Sequence, residues 1–278
     1  MTLDFHFLKR RHLLALLLAV CLLTAAYHLE HNSHRQPDTA WGDITPLLSA
    51  ETLSDADLTY LQTQTGLAPT AVNELLTLSD GAARLETIHR CYFAPISSIC
   101  IPNGPISREE WIVDDHGRTQ AGTLLAPLQD GDILITFGTH TFGWRHGHAA
   151  LVVDASQHIT LEALVLGQPA CLQSADKWAA YPNFMLLRPK NITPKECRAV
   201  AQWALTHLEN IPYDPLIGLT SPKAPPEQTL PQATQCAHLV WSAYKHFGWD
   251  LDANGGPVVT PRDLARSDQL EVIQSYGL

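Results

Sequence analysis

Four short segments between residues 131 and 187 limit the folds open to this chain more than any other feature. Three of them, 132–137, 147–153 and 184–187, are apolar runs, and the fourth, 158–164, alternates polar and apolar residues. Short runs of this kind, separated by turn-forming residues, predict β-strands. The sequence therefore predicts a small antiparallel sheet in this part of the chain.

Helical signals stand on both sides of the predicted strands. Before them, 54–66 has a helix start and a closing glycine, and Pro69 opens a second segment, which together predict a small helical hairpin. After them, one helix is predicted to begin at Pro194 and a last helix near Gln235, joined by a long proline-rich loop over 210–233. This order predicts the α+β fold class.

The beginning of the chain predicts an export signal. A basic stretch, 9–12, precedes the uncharged run Leu13–Tyr27, and Thr24-Ala25-Ala26 offers small residues for cleavage. The alternative is an uncleaved transmembrane helix that anchors the protein. Either reading places the body outside the cytoplasm, in the periplasm or another extracytoplasmic space. The predicted regions are 1–35 (signal or anchor and linker), 36–125 (helical N-terminal region) and 126–278 (main domain).

The charge of the chain argues against one class of partner. The formal net charge is −10, and 18 lysines and arginines stand against 28 aspartates and glutamates. A nucleic-acid binder needs a basic face to meet phosphates. We therefore expect no nucleic-acid partner, and we predict no cofactor.

The six cysteines fit an exported protein, in which disulfides can form. Cys91 and Cys100 are close in the sequence and are predicted to form a bridge. Cys171 and Cys197 are either buried thiols or a second pair. Cys21 belongs to the export segment, so if Cys171 and Cys197 also pair, Cys236 is the one left over, which marks it as a free thiol.

Cys236 lies in the first turn of the last predicted helix, where Thr234 is a suitable N-cap. The first-turn N–H groups have no partner within the helix, and the helix dipole places positive charge there. Both effects favour a thiolate, and the same N–H groups can bind an oxyanion. Cys236 is therefore a candidate nucleophile, although a cysteine at such a position is more often a small buried side chain.

A thiolate nucleophile needs an imidazole nearby that a third polar group orients. His148 opens an apolar strand and is the preferred base over His146, which is assigned to the preceding loop. Glu162 lies in the next strand among apolar residues, where an unpaired carboxylate is costly, so it is the candidate orienting residue. His158 and Thr160, on the same strand face, are the alternatives.

Four segments, in this order, resemble the YiiX-like permuted papain enzymes, the circularly permuted branch of the NlpC-type cell-wall cysteine hydrolases. The segments are Gly131-Asp132-Ile133-Leu134, Gly147-His148-Ala149-Ala150-Leu151-Val152, Leu161-Glu162-Ala163 and Cys236-Ala237-His238-Leu239-Val240-Trp241. In unpermuted relatives the cysteine helix precedes the histidine strand, whereas here it follows. Gln235 and the Ala237-His238 pair depart from the residues commoner around the nucleophile. The resemblance covers roughly 126–278.

The resemblance implies a permuted papain-like domain in which Cys236 is the nucleophile, His148 the general base and Glu162 its orienting residue. It also implies that Tyr213, in Ile211-Pro212-Tyr213, helps to hold the oxyanion. The expected activity is a thiol hydrolase, an amidase or endopeptidase, that acts on peptidoglycan peptides.

Three other functions stay open at this point. The permuted branch is also similar to lecithin–retinol acyltransferase-type enzymes, which implies a lipid acyl hydrolase or acyltransferase as an alternative. A lipid-binding module of the same fold would leave Cys236 without a catalytic role. A zinc site built from His146, His148 and Cys236 is the third possibility.

Overall fold

The computed structural model describes residues 12–22, 33–104, 107–141, 144–224 and 230–278. The helices are 12–22 (α1), Thr45–Leu48 (α2), Asp55–Thr65 (α3), Pro69–Leu76 (α4), Gly81–Phe93 (α5), Pro194–His207 (α6), Cys236–His246 (α7) and Pro261–Ala265 (α8). The strands are Ser97–Pro102 (β1), Ser107–Val113 (β2), Ile133–Thr136 (β3), Thr139–Thr141 (β4), Trp144–Arg145 (β5), His148–Asp154 (β6), Ile159–Glu162 (β7), Cys171–Ser174 (β8), Phe184–Pro189 (β9) and Leu270–Tyr276 (β10). A 3₁₀ helix spans Ala175–Ala180.

The predicted export segment is described only in its middle. Residues 12–22 are helical and exposed, whereas the basic residues 9–11 and the small residues Thr24-Ala25-Ala26 lie outside the described residues. In the ranges that the structure describes, no helix combines the length and the apolar character needed to cross a membrane.

The predicted helical hairpin is present as α3 and α4. Ser54 caps α3 through a reciprocal capping box with Asp57, and Gly66 ends it with φ of 70°, which a side chain would disfavour. Pro69 is in the first turn of α4, as predicted. A third helix, α5, was not predicted.

The prediction that 36–125 is helical is wrong for its last part. β1 and β2 form an antiparallel pair there and continue into a four-stranded sheet of order β1-β2-β4-β5. β1 is exposed at nearly every residue, so it lacks the apolar alternation that marks a half-buried strand. β2 buries the charged residues Glu109 and Glu110. Its buried positions are therefore not all apolar, so a hydrophobicity pattern does not identify the strand.

The main sheet has six strands in the order β10-β9-β3-β6-β7-β8, and every neighbouring pair is antiparallel. Its central strands are buried on both faces. Ile133 and Ile135 of β3 belong to the core under α6 and α7, while Leu134, between them, belongs to the core under α3, α4 and α5. Coverage on both faces explains why these strands are continuous apolar runs.

The α+β class is thus confirmed, with two antiparallel sheets and several helices. The four predicted strands correspond to β3, β6, β7 and β9, and the two predicted C-terminal helices to α6 and α7. Gly248 follows the end of α7 with φ of 94°, as its predicted role at the helix end requires. β8 and β10, which form the two edges of this sheet, were not predicted.

The disulfide predicted between Cys91 and Cys100 is wrong, because none of the six cysteines forms a disulfide in the structure. Cys91 lies on α5, where burial raises the pKa of its thiol. Cys100 lies on β1, and its sulfur is 3.7 Å from Nε2 of His140. Cys197 is buried, and Cys171 is half-buried on β8.

Candidate active site

Cys236 is the first residue of α7 and is almost buried, with 8% of its surface exposed. The N-cap is Gln235, whose extended backbone lets its Oε1 accept a hydrogen bond from Ala237 N at 2.9 Å. The Cys236 sulfur lies 3.4 Å from the same Oε1. Gln235 therefore fixes both the start of the helix and the position of the thiol.

The prediction that Thr234 caps this helix is wrong. Its backbone pairs with the segment at Tyr213, since Thr234 N donates to Pro212 O and Asp214 N donates to Thr234 O. Its hydroxyl lies 3.0 Å from Nδ1 of His238. These contacts hold Thr234 in the preceding loop, so the next residue, Gln235, caps the helix instead.

The position of α7 follows from its buried face. Leu239, Val240 and Ala243 are fully buried in the core that the helix shares with the main sheet. α7 packs directly on β6, the strand that His148 opens. The first turn of the helix therefore meets the first residue of the strand.

Cys236 and His148 are neighbours in the structure, because the Cys236 side chain is one of the groups that raise the pKa of His148. His148 is buried, and its Nε2 lies 2.7 Å from Oε2 of Glu162. Because Nε2 is bound to the carboxylate, Nδ1 is the ring nitrogen left to serve the Cys236 sulfur. The three residues form the chain of thiol, imidazole and carboxylate that nucleophilic catalysis by cysteine needs.

Glu162 is fully buried, yet its two carboxylate oxygens accept from several donors. Besides His148, they accept from Thr160 Oγ1 at 2.6 Å, Lys177 Nζ at 2.8 Å and Trp178 Nε1 at 3.1 Å. Trp178 also stacks on the His148 ring, with the ring planes 14° apart. The carboxylate is thus held in place and in turn fixes the plane of the imidazole.

These contacts set the charges of the site. Burial works against a charged imidazole, but the hydrogen bonds to Cys236 and Glu162 and their negative charges raise the pKa of His148 to about 10. Burial likewise opposes ionisation of Glu162, but His148 and Lys177 lower its pKa to about 2. The raised pKa of His148 and the lowered pKa of Glu162 both favour an imidazolium that faces a carboxylate on one side and the Cys236 sulfur on the other.

The alternative residues lie elsewhere or play other parts. Thr160 donates to Glu162 and supports it. His158 has a left-handed backbone, with φ of 53°, and pairs with Asp176 at 2.6 Å. His146 lies 2.9 Å from Thr141 Oγ1 in the loop before β6. His146 is therefore a neighbour of the site and not a second base.

Tyr213 lies close to the nucleophile. Its backbone is bridged to Thr234, two residues before Cys236. Burial and the negative charges of Cys236 and Asp214 raise the pKa of its phenol. The side chain is thus near the sulfur and protonated at neutral pH, as a donor to an oxyanion must be.

The zinc site considered for His146, His148 and Cys236 is not assembled. Among the described residues, the atoms that converge closely enough to share a metal ion belong to Cys100, Glu110 and His140. Cys236 and His148 are instead engaged with each other and with Glu162.

Three supporting residues were missed by the sequence interpretation. Lys177 and Trp178 lie on the 3₁₀ helix, which carries no periodic signal, and they reach Glu162 only across the folded sheet. Gln235 was noted only as a departure from the commoner residue at its position. Its polar side chain directly before an apolar helix is the signal that could have identified it as the cap.

No protein-family model matches the sequence, and a search of curated proteins likewise finds no match. Among solved structures the chain is similar to one described as metalloprotein yiiX from Escherichia coli O157:H7, DUF1105. The identity is 15% and the TM-score 0.40, over 55% of this chain and 99% of that one. A similarity of this size assigns neither a fold family nor an activity, so the function proposed below rests on the residues of the chain itself.

Proposed function

We propose that the protein is an exported cysteine hydrolase that cleaves an amide through Cys236, His148 and Glu162. The observation that carries the proposal is the buried His148 ring, which is hydrogen-bonded to the Glu162 carboxylate and lies beside the Cys236 side chain. Isolated cysteines and histidines are common, but this combination with a fully buried and fully bonded carboxylate is what thiol catalysis requires.

The first half of the reaction forms an acyl-enzyme. The Cys236 thiolate attacks the substrate carbonyl, and the electron pair of the C=O bond moves to oxygen. The imidazolium of His148 gives its proton to the leaving nitrogen as the C–N bond breaks. The products of this step are a free amine and a thioester on Cys236.

The second half releases the acyl group. Neutral His148 accepts a proton from water, and the hydroxide equivalent attacks the thioester carbonyl. The C–S bond breaks, which yields a carboxylic acid and regenerates the sulfur–imidazole pair. Glu162 stays ionised throughout and stabilises the imidazolium each time it forms.

The oxyanion of each tetrahedral intermediate needs donors near the sulfur. The backbone N–H of Cys236 at the start of α7 and the hydroxyl of Tyr213 are the groups we assign to this task. The neighbouring N–H of Ala237 is already bonded to Gln235. A side-chain donor such as Tyr213 is therefore needed in addition to the helix start.

The order of the elements supports a permuted papain-like domain as the finer description of the fold. The strand with the base, β6, precedes the helix with the nucleophile, α7, by most of the domain. We place this domain at 126–278, as the sequence resemblance implies, with the region 36–125 packed on the other face of its sheet.

Peptidoglycan peptide is the substrate class that we infer first. The basic stretch and apolar run at the start of the chain direct the protein out of the cytoplasm. Outside the cytoplasm, the cell wall presents short peptides whose amide bonds suit an amidase or endopeptidase.

One observation favours a lipid acyl group as the second candidate. The loop that leads to α7 carries the exposed side chains Leu216, Leu219 and Leu230. An exposed apolar stretch in the segment that leads to the nucleophile suits a lipid acyl ester. In that case the leaving group is an alcohol, and the rest of the reaction is unchanged.

The test is to incubate the purified protein separately with muropeptides and with phospholipid vesicles. We expect release of a peptide fragment from muropeptides and a mass increase on the Cys236 peptide when the reaction is quenched early. The Cys236→Ala variant should show neither, and Cys171→Ser, which changes a cysteine on β8, should show both. Product from lipid alone would replace the amide assignment. The absence of a covalent intermediate with both substrates would overturn the assignment as a cysteine hydrolase.

A further inference from the structure

We propose that Cys100, Glu110 and His140 form a binding site for a divalent transition metal of the zinc class, separate from the catalytic residues. The site lies on the smaller sheet, and its function does not depend on whether Cys236 is a catalytic nucleophile. The geometry of the three side chains is the observation that points to it.

The register of the smaller sheet places the three residues on one face. Cys100 on β1 is directly opposite Glu110 on β2. His140 on β4 is opposite Arg108, which is two residues from Glu110 and therefore on the same face of β2. Three adjacent strands thus contribute one ligand each, and the backbone hydrogen bonds between the strands hold these positions together.

The distances suit a shared ion. One ligand atom from each of the three residues lies within 4.8 Å of the other two. The Cys100 sulfur and His140 Nε2 are 3.7 Å apart. With metal–ligand bonds of about 2.0–2.3 Å, the ligands of a tetrahedral zinc lie roughly 3.3–3.8 Å from one another. Small side-chain movements therefore complete the geometry.

The ligand types select the metal. A thiolate, an imidazole and a carboxylate are the donors that zinc and its neighbours prefer, whereas calcium and magnesium prefer oxygen alone. Glu110 and His140 are buried, and Cys100 is exposed. The exposed thiol gives an ion a route in from solvent, and the buried pair keeps it from solvent once bound.

The Glu110 carboxylate already has partners, and a metal ion would have to compete with them. Glu110 forms an ion pair with Arg145, and its Oε2 accepts from the backbone N of Ser33 at 2.9 Å. The Arg145 side chain is 29% exposed, so it can turn toward solvent when a metal ion takes its place beside Glu110. Removing the positive charge of Arg145 should therefore strengthen metal binding.

The position of the site suggests a structural role. The loop after His140 leads to His148, and within it Gly147 N donates to Thr139 O at 3.0 Å. A metal on His140 would hold this loop against β1 and β2. Neither Cys236 nor His148 belongs to this cluster, and His148 is bonded to Glu162.

The experiment is a titration of the metal-stripped full chain with Co²⁺ and Zn²⁺. We expect one equivalent of Co²⁺ to bind with a thiolate-to-metal absorption band. Cys236→Ser should keep the band and the affinity, as should the control Cys171→Ser. Cys100→Ser should lose the band, and His140→Ala should weaken binding roughly 100-fold or more, since even the loss of an outer contact costs about 10–100-fold. Arg145→Gln should bind more tightly than the wild type.

Several results would overturn the site. No binding by the wild type would do so, as would unchanged binding by Cys100→Ser or loss of the band in Cys236→Ser. Because His140 is buried, its variant needs a folding check by circular dichroism. Cys100 is exposed and its serine variant should fold, so the absorption band decides the question even if His140→Ala misfolds.

Discussion

The reactivity of Cys236 depends on the side chain beside it. An imidazolium next to a cysteine favours the reactive thiolate form over the thiol. We expect iodoacetamide to modify Cys236 faster than a model thiol, and the His148→Ala variant to react about tenfold more slowly or less. Mass spectrometry of the Cys236 peptide measures the rate.

The matched control for this experiment is His146→Ala. His146 is two residues from His148 but lies against Thr141. Its removal should leave the alkylation rate within a factor of about two, since it does not contact the sulfur. Equal rates for the wild type and His148→Ala would contradict the thiolate–imidazolium pair.

Glu162 should be needed for stability as well as for chemistry. The Glu162→Gln variant leaves the buried charge of His148 and the half-buried charge of Lys177 without their carboxylate, and breaking a buried pair in this way costs about 3–5 kcal/mol. Urea unfolding at pH 7 measures the loss. Glu86→Gln, an exposed change on α5, should stay within about 0.5 kcal/mol of the wild type.

The same carboxylate gives a pH dependence with a defined sign. Its pKa is about 2 in the folded protein against an ordinary value of 4.5, so its stabilisation is present above pH 4.5 and is lost as the pH falls toward 2. The Glu162→Gln variant should therefore lose less stability between pH 5 and pH 3 than the wild type. Parallel curves for the two proteins would contradict the pairing.

At the scale of elements, the position of the nucleophile depends on the cap of α7. The Gln235→Ala variant removes the acceptor for Ala237 N and the bond from Gln235 Nε2 to Val259 O. We expect a loss of about 1 kcal/mol in unfolding free energy and a drop in the alkylation rate of Cys236. Gln232→Ala, three residues earlier and exposed, is the control and should change neither. Unchanged Cys236 reactivity in Gln235→Ala would show that the cap does not position the thiol.

The elements that could be predicted are those whose residues carry their own pattern. β3, β6 and β9 are continuous apolar runs because the sheet is covered on both faces, and α7 shows its buried face in Leu239, Val240 and Ala243. The candidate catalytic residues could be singled out with them, because each is a polar residue at the edge of an apolar run.

The elements that could not be predicted depend on contacts made elsewhere in the chain. β1 is an exposed strand held by its pairing with β2, and β10 pairs with β9 from the far end of the chain. Lys177 and Trp178 contact Glu162 from a 3₁₀ helix without periodicity. β1 pairs with the next strand but has no apolar alternation because nearly all its residues are exposed, whereas β10 and the 3₁₀ helix depend on partners farther away in the sequence, which no local pattern records.

At the scale of the whole molecule, the N-terminal helices and the main sheet share one core. Leu85 of α5 is fully buried in the same cluster as Leu134 of β3 and Phe184 of β9. Arg188 of β9 also joins the two parts, through ion pairs to Glu74 of α4 and to Asp132. A core built from both regions predicts that they unfold together.

A single substitution far from the catalytic residues tests this coupling. The Leu85→Ala variant opens a cavity under the sheet and should lower the unfolding free energy by about 2–5 kcal/mol. If the core is shared, tryptophan fluorescence and the exposure of Cys236 to alkylation should report the same denaturant midpoint, shifted equally in the variant. Leu78→Ala, at a residue that is 40% exposed, should leave both midpoints unchanged. A fluorescence change that precedes the exposure of Cys236 would mean that the N-terminal helices unfold alone and that the candidate active site stays folded without them.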